Sequence, residues 1–236
     1  MTTFPWKGRF GPFDLMVSPD TFVPSTITLL LADAMDLNEG DVVVDVGTGS
    51  GILAIIAAKL GASRVIAVDN GPDVEAVGRA NAASQRVEDK ITFLRGDLFD
   101  PVPDDIEADV IIGDVSGIPD ELAAISGWFP SKTGGGPRGS ELPIRMLEEA
   151  KRLLRPGGRL FLPTGSLQDV GALLRTARSL YDRLVETASR MIPLPGTLAE
   201  SPVVRSLVED GVVNLTPRGS RFLWEAKIWE LRPGSA

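Results

Sequence analysis

Short apolar runs alternate along the chain with segments whose apolar residues recur at helical spacing. The apolar runs predict strands and the segments between them predict helices. The predicted strands are Val42 to Val46, Arg64 to Val68, Ile91 to Leu94, Val110 to Gly113 and Leu160 to Pro163. The predicted helices are Ile52 to Leu60, Asp73 to Ala83, Pro119 to Ile125 and Ser140 to Leu154. This alternation favours a parallel sheet with right-handed crossovers.

The pattern continues past these elements toward the C-terminus. A further helix is predicted near Gln168 to Leu180, and two final strands, Leu184 to Ile192 and Arg221 to Leu231, are typical of an antiparallel edge pair. We therefore expect an α/β fold, a Rossmann-like doubly wound sheet of seven strands. The sheet is expected to be mostly parallel with an antiparallel edge, and to carry helices on both faces.

The N-terminal segment crowds aromatic residues before the sheet, and Pro24-Ser25-Thr26 then opens a predicted helix from Ile27 to Met35. We expect residues 1–40 to form a lid and a helix over a cofactor site, and residues 41–236 to form the rest of a single structural domain. The alternative is that Ser25 or Thr26 is only a helix N-cap and that the aromatics belong to the core. These aromatics are Phe4, Trp6, Phe10, Phe13 and Phe22.

The composition of the chain limits the kinds of site and reaction that it can support. With 43% hydrophobic and 24% charged residues among 236, the chain resembles an ordinary globular protein. It has no apolar run long enough to span a membrane and no signal-peptide pattern, so the prediction is a cytoplasmic protein without a membrane partner. Cysteine and histidine are both absent. This excludes thiol nucleophiles, Cys/His zinc sites and histidine bases, and no metal site is expected.

The charge is unevenly distributed along the chain. Of the net charge of −8, residues 1–118 contribute −11 and the remainder contributes +3. Such an acidic half repels phosphate backbones, and no basic stripe with interleaved aromatics is present. The sequence therefore predicts no nucleic-acid partner, and it does not indicate an oligomeric state.

A glycine-rich turn follows the first predicted strand of the sheet. Gly47, Gly49 and Gly51 alternate after it, and Asp69 ends the next strand, which is typical of turns that bind nucleotide-like cofactors. The dinucleotide fingerprint requires a third glycine where Ile52 stands. Asp45, just before the turn, would repel a diphosphate but attract an amino group or a sulfonium cation. The turn therefore favours S-adenosylmethionine over NAD.

Two stretches carry a family resemblance. VVVDVGTGSGILAIIAAKLGASRVIAVDNGPDVEAVGRANA and GGGPRGSELPIRMLEEAKRLLRPGGRLFLPTG resemble class I S-adenosylmethionine-dependent methyltransferases, closest in motif to the release-factor glutamine and ribosomal-protein enzymes. The resemblance implies that the three glycines make room for the cofactor and that Asp69 binds the ribose hydroxyls. It also implies that Asp97 and Leu98 hold the adenine. The expected cofactor-binding residues are Asp45, Gly47, Gly49, Gly51, Asp69, Asn70, Asp97, Leu98 and Asp114.

The resemblance fails at the fourth strand of the parallel run. Those enzymes carry an NPPY-type motif there, whereas Gly113 to Pro119 lacks both the asparagine and the aromatic residue. The expected catalytic residues are Asp114, Ser116 and Tyr181. Asp114 and Tyr181 are the groups that could accept a proton, and neither is established as the base. We expect an S-adenosylmethionine-dependent transferase that methylates an amine or hydroxyl of a small molecule in specialised metabolism.

Three alternatives remain open at this stage. The first is an S-adenosylmethionine-consuming cyclase similar to azetidine-2-carboxylate synthases, which releases methylthioadenosine and needs no acceptor pocket. The second is a protein methyltransferase that contacts a peptide through the loop Lys132 to Arg138. The third is a binding module that keeps the cofactor turn without turnover.

Overall fold

A central sheet of eight strands organises the chain, and the computed structural model describes residues 1–234. The strands of this sheet are β3 (Val42–Val46), β4 (Arg64–Asp69), β5 (Ile91–Arg95), β6 (Ala108–Gly113), β7 (Leu154–Gly165), β8 (Arg183–Pro193), β9 (Thr216–Arg218) and β10 (Arg221–Arg232). Seven of them follow one another in the order β5-β4-β3-β6-β7-β10-β8, and the short β9 pairs with β10. The predicted doubly wound sheet is therefore present, with one more strand than expected.

Strand directions follow the prediction with one refinement. The five strands from β5 to β7 pair in parallel, while β10 is antiparallel to both β7 and β8. The last strand in sequence is thus inserted inside the edge strand β8. The strand predicted over Leu160 to Pro163 is much longer, because the chain becomes extended at Leu154 and shifts register against β6 between Ala108 and Val110.

The helices cover both faces of the sheet. Most of them lie within a residue or two of their predicted bounds, but α7 and α8 were not predicted from the sequence. Among the described residues, no helix combines the length and the hydropathy needed to span a membrane. The helices are α1 (Thr26–Ala34), α2 (Ile52–Lys59), α3 (Val74–Ser84), α4 (Asp120–Ser126), α5 (Glu141–Leu153), α6 (Val170–Leu180), α7 (Gly196–Ala199) and α8 (Pro202–Glu209), with a 3-10 turn at Glu88–Lys90.

Each face of the sheet buries its own apolar cluster. On one face, α1, α2 and the N-terminal segment pack on β3 to β6 around Leu53, Ile56 and Phe93. On the other face, α5 and α6 pack around Leu147 and Leu173. A third cluster joins α4, α7 and α8 to the start of β10. This packing fixes the carboxyl ends of the parallel strands at one edge.

The N-terminal segment forms a hairpin that sequence reasoning missed. Strands β1 (Thr2–Trp6) and β2 (Phe13–Val17) pair antiparallel as a separate sheet. Trp6 and Leu15 are buried in the same cluster as α2. These inward side chains alternate with exposed neighbours, which is the period-2 pattern of a half-buried strand. Much of the N-terminal group of aromatic residues therefore belongs to this hairpin, and part of it lies in the core.

Candidate active site

The carboxyl ends of β3, β4 and β6 meet at one edge of the sheet. Val46 in β3 is paired with Val68 in β4 and with Gly113 in β6. The residues that follow these strands must therefore converge, as ligand sites do in doubly wound sheets. The amides of Gly47 and Thr48 both donate to the carbonyl of Val68, at 2.9 and 3.1 Å, and so fold the glycine turn back over β4.

Asp45 lies fully buried beneath this turn. Its Oδ2 accepts a hydrogen bond from Thr48 Oγ1 at 2.6 Å, whereas its Oδ1 is buried without a partner in the described residues. Burial raises the pKa of Asp45 to about 7, and the nearby carboxylates Asp114 and Asp69 add to the rise, while the bond from Thr48 and the backbone amide of Ala54 oppose it. A cation placed beside Oδ1 would relieve this unfavourable environment.

Asp114 follows β6 and is the second carboxylate with a raised pKa. Its Oδ2 accepts a hydrogen bond from Thr28 Oγ1 at 3.2 Å. Burial raises the pKa of Asp114 to about 6, and the bond from Thr28 limits the rise. Such a group is ionised at neutral pH and is basic enough to take a proton from an acceptor. The partner Thr28 was missed by sequence reasoning, since it lies in the first turn of α1, far away in sequence.

Asp69 fixes the shape of the glycine turn. Its Oδ2 accepts from the amide of Gly49 at 2.9 Å, and its Oδ1 accepts from the amide of Gly71 at 2.8 Å. The predicted ribose ligand thus already orders the two loops beside it. The neighbouring Asn70 is exposed, and its carbonyl accepts from Arg95 Nε at 3.4 Å.

Two of the three glycines have a packing reason to be glycine. Gly47 adopts φ +79, and a Cβ there would lie 2.4 Å from the carbonyl oxygen of Asp114. Gly51 adopts φ +81, and its Cβ would lie 2.9 Å from the ring of Phe93. At these two positions the missing Cβ makes room for protein atoms, which is a packing requirement beside the expected one of leaving space for the cofactor. Gly49, at φ +52, meets ordinary contact distances only.

The predicted adenine residues lie at the end of β5 in different environments. Asp97 is exposed and accepts two hydrogen bonds from Arg145 Nη2, at 2.6 and 2.7 Å. An exposed ion pair of this kind contributes only about 0–1 kcal/mol, so Asp97 can change partners at little cost. Leu98 is buried in the cluster beneath α5 and adopts φ +44.

Four buried side-chain atoms lack a hydrogen-bond partner in the described residues, and they locate the candidate site more narrowly than the sequence motifs do. Native proteins pair nearly all such atoms, so a group of orphans indicates where a ligand binds. One of these atoms lies near the end of β3, one in the glycine turn, one just after β6 and one in the turn between β7 and α6. The buried side-chain atoms without a hydrogen-bond partner in the described residues are Asp45 Oδ1, Ser50 Oγ, Ser116 Oγ and Gln168 Nε2. Ser50 and Gln168 were not predicted, because nothing in the sequence signals a missing partner.

Tyr181 does not join this group, and its predicted catalytic role is corrected. The residue follows α6 in the apolar cluster between α5 and α6, where its hydroxyl donates to the carbonyl of Leu147 at 3.0 Å. Burial raises the pKa of Tyr181 far above its usual value. A phenol that stays protonated and bonded to the main chain is a packing group, not a base.

The N-terminal segment passes beside the glycine turn. A Cβ at Gly49 would lie 3.5 Å from the carbonyl oxygen of Phe22, whose ring stacks on Phe129 at 5.2 Å between centroids. Asn81 in α3 ties the hairpin to the turn, because its Nδ2 donates to the carbonyls of Met16 and Ser50 and its Oδ1 accepts from the Met16 amide.

Comparisons with known proteins agree with this geometry. A family profile described as ribosomal protein L11 methyltransferase matches residues 24–118. An enzyme of that name from Anoxybacillus flavithermus is 34% identical over 145 residues, which are 61% of this chain and 38% of the relative. A release factor glutamine methyltransferase from Moorella thermoacetica is 32% identical over 173 residues, 68% of this chain and 60% of the relative. The chain thus spans less than two thirds of the length of these relatives.

A solved structure shares the fold. The Thermus thermophilus 16S rRNA N2 G1207 methyltransferase, solved with AdoMet and guanosine, has a TM-score of 0.66 at 15% identity, covering 99% of this chain and 50% of that one. Likeness at this identity supports the architecture.

These comparisons overturn the expected acceptor. The prediction of a small-molecule partner with nucleic acid excluded is wrong, because the relatives are named for a ribosomal protein and a release factor, and the solved structure for a ribosomal RNA. The placement in specialised metabolism has no support from these relatives, and neither has the cyclase alternative.

Proposed function

We propose that the chain is a class I S-adenosylmethionine-dependent methyltransferase and that it methylates an amine nitrogen of a protein. The relatives described above support the expected family, enzyme class and cofactor. The observation that carries the proposal is Asp114, a half-buried carboxylate at the end of the fourth parallel strand, hydrogen-bonded to Thr28. An anionic proton acceptor at this position suits an amine, which must lose a proton in the reaction.

The residues of the glycine turn fit a cationic cofactor. Bound S-adenosylmethionine would supply a methyl group on a positively charged sulfur, with a neutral thioether as leaving group. Asp45 Oδ1 and Ser50 Oγ are the unpaired atoms available to hold its polar end. We assign the ribose hydroxyls to Asp69, with Asn70 beside it, and the adenine to Asp97 and Leu98. Gly47, Gly49 and Gly51 shape the turn.

Asp114 and Ser116 are the residues proposed to act on the acceptor. An amine that enters as an ammonium ion has no free lone pair, so it must first lose a proton. The Asp114 carboxylate accepts that proton and orients the lone pair that is thereby freed. The pKa of about 6 leaves the carboxylate ionised at neutral pH and far less acidic than a solvated aspartate. Because the leaving group is neutral, positioning and desolvation can provide most of the remaining rate enhancement.

The choice of a protein acceptor rests on the relatives and on charge. The relatives above 30% identity are named for a ribosomal protein and for a release factor. The acidic half of the chain, which holds the glycine turn, attracts a cationic side chain. We further propose that residues 1–40 cover the bound cofactor, since Phe22 packs beside Gly49 and stacks on Phe129.

Methyl transfer with defined acceptors tests the proposal. The purified chain is incubated with methyl-labelled S-adenosylmethionine and, separately, with purified ribosomal protein L11, a release factor, ribosomal RNA or no acceptor. We expect label in a protein and adenosylhomocysteine as the coproduct, with mass spectrometry placing the methyl group on an amine nitrogen. Asp114→Asn should lower kcat by about 100-fold or more, in the range of general base catalysis.

The other outcomes are equally informative. Methylthioadenosine formed without an acceptor would identify a cyclase and contradict methyl transfer. Label in RNA, or on an amide nitrogen, would contradict the amine assignment. Calorimetric titration showing no binding of S-adenosylmethionine would overturn the cofactor assignment itself.

A further inference from the structure

Gln168 is a buried amide without a function inside the protein. It lies in the turn between β7 and α6 and is only 3% exposed. Its Nε2 is buried without a partner, and no hydrogen bond of the described residues uses its Oε1. Leaving a buried donor unpaired costs about 1–3 kcal/mol, so an unbonded glutamine in this position calls for a ligand that pairs with it.

The amide of Gln168 lies against the segment that follows β6. A Cβ at position 117 would approach its Oε1 to 2.4 Å, so the amide occupies space left open by Gly117. The adjacent Ser116 also has a buried, unpaired Oγ. Two polar groups from different loops thus lie at or beside Gly117, and no hydrogen bond of the described residues satisfies either Ser116 Oγ or Gln168 Nε2.

The sheet order places this pair on the acceptor side. The glycine turn follows β3, which flanks β6 on one side, whereas Gln168 follows β7, which flanks β6 on the other. Asp114, at the end of β6, therefore separates the cofactor turn from Gln168. A group held by Gln168 and Ser116 belongs to the molecule that approaches Asp114 from the side away from the cofactor.

We propose that Gln168 and Ser116 bind a peptide group of the acceptor protein, next to the amine that Asp114 receives. A carboxamide presents one donor and one acceptor side by side, which matches the N–H and C=O of a peptide unit. Gln168 thus supplies from the β7–α6 turn the carboxamide that the NPPY-type motif would have supplied after β6. This inference rests on the proposed function, since it needs an amine acceptor carried on a polypeptide.

Two amine probes separate the peptide contact from the chemistry. Nα-acetyl-lysine N-methylamide carries a peptide group on each side of its amine-bearing residue, whereas n-butylamine carries the amine alone. With the wild-type chain we expect the lysine amide to have a kcat/KM at least 10-fold higher than that of butylamine, mainly through a lower KM. Gln168→Met keeps the volume but not the hydrogen bonds, and it should abolish this preference while leaving butylamine unchanged.

A second buried amide, that of Asn81, provides the control for effects on folding. Asn81 is 1% exposed and makes three hydrogen bonds within the protein, so Asn81→Leu should lower the thermal midpoint clearly. Gln168→Met breaks no bond in the protein and should leave the midpoint unchanged or raise it. S-adenosylmethionine affinity, measured by calorimetry, should be the same in Gln168→Met and wild type. Gln168→Asn, with its amide withdrawn by one methylene, should not restore the preference.

The outcomes distinguish the peptide-binding role of Gln168 from the proposed amine methylation. If the wild-type chain prefers the lysine amide and Gln168→Met retains that preference, the peptide-binding role is wrong while amine methylation stands. A large loss of thermal stability or of cofactor affinity in Gln168→Met would show a structural role and also contradict the inference. If neither probe nor any protein is methylated by the wild-type chain, the proposed function fails first and the inference fails with it.

Discussion

At the scale of single residues, the site is built around two carboxylates that the fold places in unfavourable surroundings. Asp45 and Asp114 lie at the ends of neighbouring strands, and burial raises the pKa of Asp45 to about 7 and that of Asp114 to about 6. Ion pairs with Lys or Arg, which hold most buried carboxylates, are absent for both in the described residues. The ionised carboxylates therefore lower the stability of the ligand-free protein and favour the binding of a cation. Functional sites commonly reduce stability in this way.

Asp45→Asn should stabilise the ligand-free protein at high pH and weaken cofactor binding. Because the pKa of Asp45 is higher in the folded state, the folded protein holds this proton in a window from about pH 4 to pH 7, and stability falls as pH rises through that window. Asparagine removes the ionisation but still accepts from Thr48. The difference between pKa 3.8 and about 7 sets an upper limit of about 4 kcal/mol on the gain at pH 8.

Urea unfolding at pH 5 and pH 8 measures this effect. The advantage of Asp45→Asn should be less than half as large at pH 5 as at pH 8, while calorimetry shows a loss of S-adenosylmethionine affinity. Asp104→Asn, at an exposed position, is the matched control and should change neither quantity. An equal gain at both pH values would mean that Asp45 does not titrate in this window.

At the scale of elements, the glycine turn is a junction between three pieces of structure. Gly51 begins α2 beneath the ring of Phe93 from β5, and Gly78 in α3 lies against the same ring, where a Cβ would approach to 2.4 Å. Phe93 thus wedges between two helices that both lack a side chain at the contact. The turn is held in place by core packing as well as by Asp69.

Gly51→Ala should destabilise the protein more than Gly40→Ala does. Both residues have positive φ, at +81 and +91, so alanine costs about 1–2 kcal/mol at each through backbone strain. Only Gly51 also faces Phe93, since a Cβ there would lie 2.9 Å from the ring, and such overpacking adds about 1–3 kcal/mol. Urea unfolding of the two variants isolates the ring contact, and adding Phe93→Leu to Gly51→Ala should recover part of the loss. Equal losses at both positions would refute the wedge.

Sequence periodicity predicted most of these elements but not the contacts between them. The strand Val42–Val46 has the predicted bounds, because a buried parallel strand is an uninterrupted apolar run. The hairpin of β1 and β2 was missed because its aromatics suggested a lid and hid the period-2 alternation. Thr28 and Gln168 could not be found, since their importance depends on which atoms lie opposite them in space. Tyr181 was chosen by elimination, and packing gave it another role.

At the scale of the whole molecule, the uneven charge of the sequence places negative charge on the side of the sheet that holds the site. The half with net charge −11 contains β3 to β6 and therefore the carboxyl edge where Asp45, Asp69 and Asp114 meet. Fields of this kind change association rates much more than they change stability. The acidic half, from which the sequence predicted no nucleic-acid partner, instead favours the approach of a cationic acceptor.

The acceptor's charge can be determined from the salt dependence of the reaction. If the acceptor is a protein amine, kcat/KM should fall several-fold between about 0.05 and 0.5 M salt, because the screening length shrinks below about 10 Å. Asp20→Asn, exposed beside Gly71 at the site, should flatten this dependence. Asp104→Asn removes the same charge near Val42 and Arg64, where the strands begin, and should leave it intact. Steady-state rates at saturating S-adenosylmethionine provide the measurement. A rate that rises with salt would identify a polyanionic acceptor and contradict the protein-amine proposal.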